Sequence, residues 1–343
     1  MVTLALTAFG AVVTPSCGPP FKPASLIDGV RVLTIEADPP YALPGETITL
    51  KMRYSDGRVD IDDRQPLQIT WIGGCFNPPG DQYFACFEQL NTLLQGVSAG
   101  DVAPGEFLLQ GPAFDTFTVT LPEDIVTSRG EPAFGPKAGT GFVFFTVCAG
   151  TLRAVDDAGD TVAGSFPFGC FDATGKRLGA ESYVPGYTVV YAYEDGRTNA
   201  QPEVNGLLFS GEPIEEMSLG AAAACDVSEE ERDKSGCAAI DEFVECETYD
   251  IDVDVPRDVG EADPDATSID GEPLGEVVWV NYYAEAGSFE EDIRLINDAS
   301  KGYQSDHSTV WVPPAEKGRY AIWAVVHDSR GGATTLQRFV DVQ

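Results

Sequence analysis

The sequence predicts an all-β protein built as two antiparallel β-sandwich domains with loop insertions. Short runs of β-branched and aromatic residues recur along the chain, each bounded by Gly, Pro or Asp. Helical periodicity is scarce, and successive strand signals are joined by turn residues and not by crossover helices. That spacing favours an antiparallel sandwich over a parallel α/β sheet. The 343 residues are 43% hydrophobic and 10% aromatic, the composition of a globular chain.

The first strand signal is 30–37 (VRVLTIEA), followed by the turn DPPYALPGE and a strand at 47–54 (TITLKMRY). Strands at 67–72 (LQITWI), 117–121, 142–148 and 187–193 (YTVVYAY) complete a first domain. Phe87, Leu90, Leu93 and Leu94 can share one face of a short helix inside an insertion at about 75–115. A polar stretch, 194–202, leads to a second domain that opens with 204–209 (VNGLLF). Its insertion, about 211–247, holds AAAAC, an acidic run and three Cys. Ser228 and Glu231 have capping-box spacing, so a turn of helix is expected there.

The segment 249–255 (YDIDVDV) alternates and reads as a strand with one wet face, and 258–271 reads as an acidic loop. Strands at 277–284 (VVWVNYYA), 309–312, 320–327 (YAIWAVVH) and 336–342 (LQRFVDV) close the chain. Asp328-Ser-Arg-Gly-Gly is a hairpin-type turn that needs positive φ, which Gly adopts at little steric cost. The expected division is 1–17 leader, 18–27 tether, 28–195 first domain and 196–343 second domain.

Three stretches carry a resemblance. ADPPYALPGETITLKMRY resembles the first two strands of bacterial immunoglobulin-like modules. WVPPAEKGRYAIWAVVHDSRGGATTLQRFVDV is similar to the last strands of PKD-like modules, and RTNAQPEVNGLLFSG to the junction that opens a second module. Taken together, about two thirds of the chain, leaving out 75–115 and 211–247, resembles myxobacterial-type lipoproteins with two such modules behind a lipid-bearing Cys. The resemblance implies an immunoglobulin-like fold in both domains and brings no assigned chemistry with it.

The start of the chain fits the same family. Leu4 to Val13 is an uncharged apolar stretch, too short to span a bilayer but suited to a signal-peptide h-region. Thr14-Pro15-Ser16-Cys17 follows, then the Pro/Gly-rich GPPFKP, which resembles a lipoprotein signal with Cys17 as the lipidated residue. An outer-membrane lipoprotein, facing the periplasm or the cell surface, is the localisation this implies.

An exported protein sits where disulfides form. Besides Cys17 there are Cys75, Cys86, Cys148, Cys170, Cys225, Cys237 and Cys246, enough for three pairs and one free thiol. Cys75 and Cys86 flank a Pro/Gly turn, and closing that loop is worth ~3 kcal/mol in the chain-entropy model. Cys148 ends an apolar strand and Cys170 follows an acidic loop. The last three cluster and can supply one pair. With no CxxC and two His, a structural zinc site is not expected.

The formal net charge is 21 − 55 = −34, which excludes a polyphosphate partner such as nucleic acid. No GxSxG elbow accompanies His307 or His327, and both read as turn histidines. Asp60 with Asp62, and Asp263 with Asp265 and Asp270, are the weak Ca²⁺ candidates, since Ca²⁺ needs six to eight oxygens from such loops. Asp156, Asp157 and Asp160, and the row Asp250, Asp252 and Asp254, are read as solvated. Trp71, Trp279, Trp311 and Trp323 lie in strand contexts and read as core. The expectation is a non-catalytic, cofactor-free envelope protein that binds another envelope or surface protein or assembles with itself. Ca²⁺-dependent adhesion and carbohydrate binding are the alternatives. The two insertions are the expected functional surfaces, because loops on a rigid scaffold carry function.

Overall fold

The computed structural model describes residues 22–59, 64–99, 108–133, 135–154, 168–216, 218–232, 234 and 240–343. Cys17, Asp60, Asp62, Cys237 and the 156–160 acidic loop lie outside the described residues.

Residues 30–192 form β1 (Val30–Asp38), β2 (Tyr41–Ala42), β3 (Thr47–Asp56), β4 (Gln68–Phe76), β5 (Leu108–Pro112), β6 (Thr116–Thr120), β7 (Gly139–Cys148), β8 (Thr151–Ala154), β9 (Phe168–Phe171) and β10 (Tyr183–Ala192). One helix, α1 (Phe87–Ala99), follows β4. The strands make a three-stranded sheet, β1-β3-β6, facing a five-stranded sheet, β2-β10-β7-β4-β5. Alternation along β3 explains the packing. Ile48, Leu50 and Met52 point inward against Trp71, Val143, Phe145 and Val147 of the facing sheet.

Residues 206–342 form β11 (Gly206–Phe209), β12 (Glu212–Pro213), β13 (Leu219–Ala222), β14 (Tyr249–Asp254), β15 (Ala262–Thr267), β16 (Pro273–Gly275), β17 (Val278–Ala284), β18 (Ser288–Phe289), β19 (Ile293–Asp298), β20 (Gly302–Tyr303), β21 (Thr309–Val312), β22 (Gly318–Asp328) and β23 (Ala333–Val342). The short helices α2 (Glu229–Arg232) and α3 (Glu242–Glu245) lie in the insertion. Sheet β12-β11-β14-β21-β18 packs on sheet β13-β23-β22-β17-β19-β20 around Tyr282, Trp311, Ile251 and Ile322. Ladders are antiparallel except for two short parallel edge pairs, β2 with β10 and β13 with β23. The chain is therefore all-β, two packed sandwiches.

Both larger sheets are covered on their outer faces too. In the first sandwich, Phe87, Leu90 and Leu93 of α1 pack on Ile72, Phe142 and Phe144, beside the Cys75–Cys86 disulfide. The helix runs further than the four apolar positions suggested. In the second, Ala321, Trp323 and Val325 of β22 meet Ile27 and Leu33 of the first sandwich. The backbone joins this contact, with Ile27 N–H donating to Ala284 O at 2.8 Å and Ala284 N–H to Ser25 O at 3.0 Å. Glu285 locks it: its carboxylate accepts from Arg64 at 2.7 Å, from the Ser55 hydroxyl at 2.7 Å and from Ala321 N–H at 3.0 Å.

Several sequence expectations are corrected. The acidic loop at 258–271 contains β15, which pairs with β16 just beyond it. Strands β5, β8, β9 and β19 carry no run long enough to stand out from the sequence. The turn after β22 uses its two glycines differently. Gly331 has φ +98°, as the motif requires. Gly332 is there for space, because a Cβ would sit 2.1 Å from the Asp328 carboxylate and 2.9 Å from Ala200 O.

Candidate functional site

The cysteines pair as Cys75–Cys86, Cys148–Cys170 and Cys225–Cys246. Each disulfide anchors an excursion from a sandwich. The Ser228 capping box forms, with Glu231 N–H donating to Ser228 Oγ at 3.3 Å and Ser228 Oγ donating to the Glu231 carboxylate at 3.0 Å.

His307 is a correction. It is buried, not a turn residue in solvent. Its Nδ1 lies 2.7 Å from the Asp252 carboxylate and its Nε2 3.0 Å from the Tyr303 hydroxyl, while its carbonyl accepts from the buried Tyr282 hydroxyl at 2.9 Å. With both ring nitrogens engaged it ties β14 to the β20–β21 loop. His327 stacks on Trp279 with 5.3 Å between ring centroids, and burial holds its pKa below the usual histidine range.

The described Ca²⁺ candidates do not converge. Asp265 pairs with Arg197, which also holds Asp195, and Asp263 accepts from Asp265 N–H at 3.0 Å within β15. Among the described residues no group of three or more His, Cys, Asp or Glu side chains is placed to hold a metal.

Carboxylates do converge where the two sandwiches meet, around Arg330. Asp328 is buried and accepts from Arg330 N–H at 2.7 Å, Gly332 N–H at 2.8 Å and Asn199 Nδ2 at 3.0 Å. Glu276 is only 2% exposed. One of its oxygens accepts from Glu261 N–H at 3.0 Å, and the other lies 3.6 Å from the Arg330 guanidinium with no hydrogen bond. Burial pushes the Glu276 carboxyl up to about 7; the Glu261 N–H bond and Arg330 oppose the rise, and the charges of Asp328 and Glu261 add to it. The Arg330 guanidinium also lies 5.5 Å from the Tyr41 ring of the first sandwich. This is a fastening, in which Asp328 and one Glu276 oxygen accept hydrogen bonds from other protein groups.

The first insertion makes an outward-facing aromatic surface. Tyr83 and Phe84 sit in the turn closed by Cys75–Cys86, and Tyr187 and Tyr191 project from the outer face of β10. Tyr83 stacks on Tyr187 with centroids 4.8 Å apart and an 18° angle, and Phe84 meets Tyr83 edge-on at 5.7 Å. Despite this packing Phe84 is 54% exposed, Tyr187 45%, Tyr83 42% and Tyr191 38%. Beside Tyr191 a cavity of about 370 Å³ is framed by the bidentate Arg129–Asp81 pair, at 2.7 and 2.6 Å, and by Thr140, whose hydroxyl donates to Asp81 at 2.8 Å. The Arg129 guanidinium holds the Asp81 carboxyl below its ordinary value. The sequence pointed to this insertion as a functional surface. It did not reveal the two tyrosines of β10, which are ordinary strand residues until the fold brings Tyr83 over Tyr187.

No protein-family model and no curated protein matches the chain. Among solved structures it is similar to dimeric latent PorU from Porphyromonas gingivalis, at 9% identity and TM-score 0.21 over 92% of this chain, which spans 24% of that one. It is similar to the fibronectin(III)-like modules of CbhA from Clostridium thermocellum, at 10% identity and TM-score 0.20, over 92% of this chain and 94% of that one. Murine CEACAM1b gives 9% identity and TM-score 0.19, over 91% of this chain and all of that one. The sheets and their packing define the class: an all-β protein of two immunoglobulin-like sandwiches with disulfide-closed insertions. Among the described residues no helix is long and apolar enough to cross a membrane.

Proposed function

We propose that this chain is a non-catalytic, exported binding module of the cell envelope, tethered through lipidated Cys17, and that its contact face is the aromatic surface of the first insertion. The observation that carries the reading is the exposure of Tyr83, Phe84, Tyr187 and Tyr191 on one surface beside Arg129. Stacked tyrosines and an arginine are the residue types that dominate binding energy at protein interfaces. Their support is rigid, because Cys75–Cys86 closes the turn under Tyr83 and Phe84 and α1 packs behind it. A soluble surface would gain nothing from leaving four aromatic rings in water. Three disulfides fit an oxidising compartment. His307 is 3% exposed, and its bonds to Asp252 and Tyr303 tie strands together inside the second sandwich.

The test compares capture of detergent-solubilised envelope proteins by the wild-type chain and by a Phe84→Ala/Tyr187→Ala variant. Loss of the same specific partner from the variant, with an unchanged melting temperature, is the expected result. Identical capture by both overturns the contact face. Intact-mass analysis of membrane-extracted protein tests the anchor, and a species that retains Met1 without lipid overturns it.

A further inference from the structure

The outer face of the larger sheet in the second sandwich is covered only in part. Ile27 and Leu33 of the first sandwich lie on Ala321, Trp323 and Val325. Toward the β19 edge the outward residues are Trp279, Asn281 and Tyr283 of β17, Ile293 and Leu295 of β19, and His327 of β22. They share one face because Trp279 pairs with both Leu295 and His327 across the ladders, and Asn281 with Ile293. Ile293 is 59% exposed and Leu295 39%, with Trp279 half-buried beside them. None of the six is charged at neutral pH, since burial holds His327 below the usual histidine range. On a chain of net charge −34, a bare apolar stretch of sheet without a charge marks a contact surface.

The N-terminal tether arrives at this patch. Along one edge of β17, Tyr282 N–H donates to Asp292 O at 2.8 Å and Ala284 N–H to Ser25 O at 3.0 Å. Those two donors are two residues apart, ~7 Å along a strand, so Ser25 meets the sheet next to Asp292 at the head of β19. Arg31 holds the tether there by donating to Ala24 O. Burial raises the pKa of Tyr283, with Arg31 opposing and Asp292 adding to the rise, so its hydroxyl lies between the tether and β19. From Cys17 to Lys22 is five residues, 22 − 17, which reach at most ~18 Å when fully extended.

We infer that the Trp279, Ile293 and Leu295 patch rests in the interface of a zwitterionic phospholipid bilayer, beside the anchor. This builds on the reading of Cys17 as lipidated, because a lipid there holds the Ser25 edge of the sheet close to the membrane. Aliphatic side chains enter the boundary of the acyl chains, and tryptophan favours the headgroup level. No charge has to be desolvated to seat these residues, whereas a carboxylate-rich face would lose its hydration there. The lipid supplies attachment and the patch supplies orientation, with the second sandwich turned to the membrane.

The test reconstitutes the chain extracted from membranes into phosphatidylcholine vesicles whose acyl chains are brominated or plain. Trp71 and Trp311 are 0% exposed and Trp323 7%, so Trp279 is the tryptophan a bilayer can reach. The chain should float with the vesicles and lose part of its tryptophan emission to bromine, and Trp279→Phe should remove that loss. Ile293→Glu/Leu295→Glu should float equally, through its lipid, and lose most of the quenching. Both positions are exposed, and the Trp279→Phe comparison decides even where the double variant melts early. Flotation without quenching, or equal quenching in the double variant, overturns the patch and leaves the anchor standing. If the unquenched chain then cross-links as a dimer, a second copy covers the patch instead. Failure to float, with an intact mass that retains Met1 and lacks lipid, overturns the anchor and the orientation together.

Discussion

β7 and β22 run through the middle of the larger sheet in each sandwich, and both are buried on both faces. In β7, Val143, Phe145 and Val147 fill the sandwich core while Phe142 and Phe144 lie under α1. In β22, Ile322, Ala324 and Val326 fill the core while Ala321, Trp323 and Val325 lie against Ile27 and Leu33 of the other sandwich. The signature is the same, a continuous apolar run where an alternating one would leave a wet face. The cover differs. The first sandwich makes its own lid from an insertion, whereas the second borrows its lid from its neighbour. The outer face of β22 is therefore covered only through the contact between sandwiches, whereas that of β7 is covered within its own sandwich.

The largest test of that asymmetry is Phe144→Ala, which opens a cavity under α1. A loss of about 3–5 kcal/mol is expected, read as a lower urea midpoint. Ile27→Ala removes the other lid. It should cost about 2–5 kcal/mol and split the calorimetric melt, the second sandwich unfolding first. If the second sandwich melts unchanged, its outer face does not need the neighbour.

The next effect belongs to Glu276, beneath the turn where the sandwiches fasten. Its carboxyl has an ordinary value of 4.5 and is raised to about 7 in the folded protein. Between those values the folded chain keeps a proton that the unfolded chain has lost, so the Glu276 contribution to stability is greatest below pH ~4.5 and is lost as pH rises through ~7. At about 1.4 kcal/mol per unit the loss is about 3 kcal/mol, and Glu276→Gln should flatten that part of the curve. Unfolding free energies measured across this range check it, and an identical slope in the variant would place the titration elsewhere.

The smallest effect is expected in the second insertion. Val244 is 73% exposed on α3, a helix with no buried residue, and Val244→Ala should change stability by less than about 0.5 kcal/mol. A larger loss by thermal melting would show that this insertion, like the first, covers something.

Legibility followed the range of the interactions. The Ser228–Glu231 capping box and the Cys75–Cys86 turn depend on residues a few positions apart, and both were readable. So were Trp71, Trp311 and Trp323 as core residues, because their strand contexts carry the burial. Trp279, from a similar context, is left half-buried against His327. His307 read as a loop residue because its partner Asp252 lies in a distant strand, β14. Asp263, Asp265 and Asp270 looked like a ligand set because spacing alone does not show that Arg197 takes Asp265.

The sequence by itself determined that the chain is all-β, where most strands run and that their interiors are apolar, because period-two patterning and turn chemistry are local properties. Tertiary structure decided what lies on the outer face of each sheet. It set Tyr83 over Tyr187, Trp323 against Ile27 and Leu33, and Glu276 beneath Arg330. Those pairings bring together residues from separate strands and loops, and burial, stacking and charge act through space with no regard to the order in which the chain supplies them.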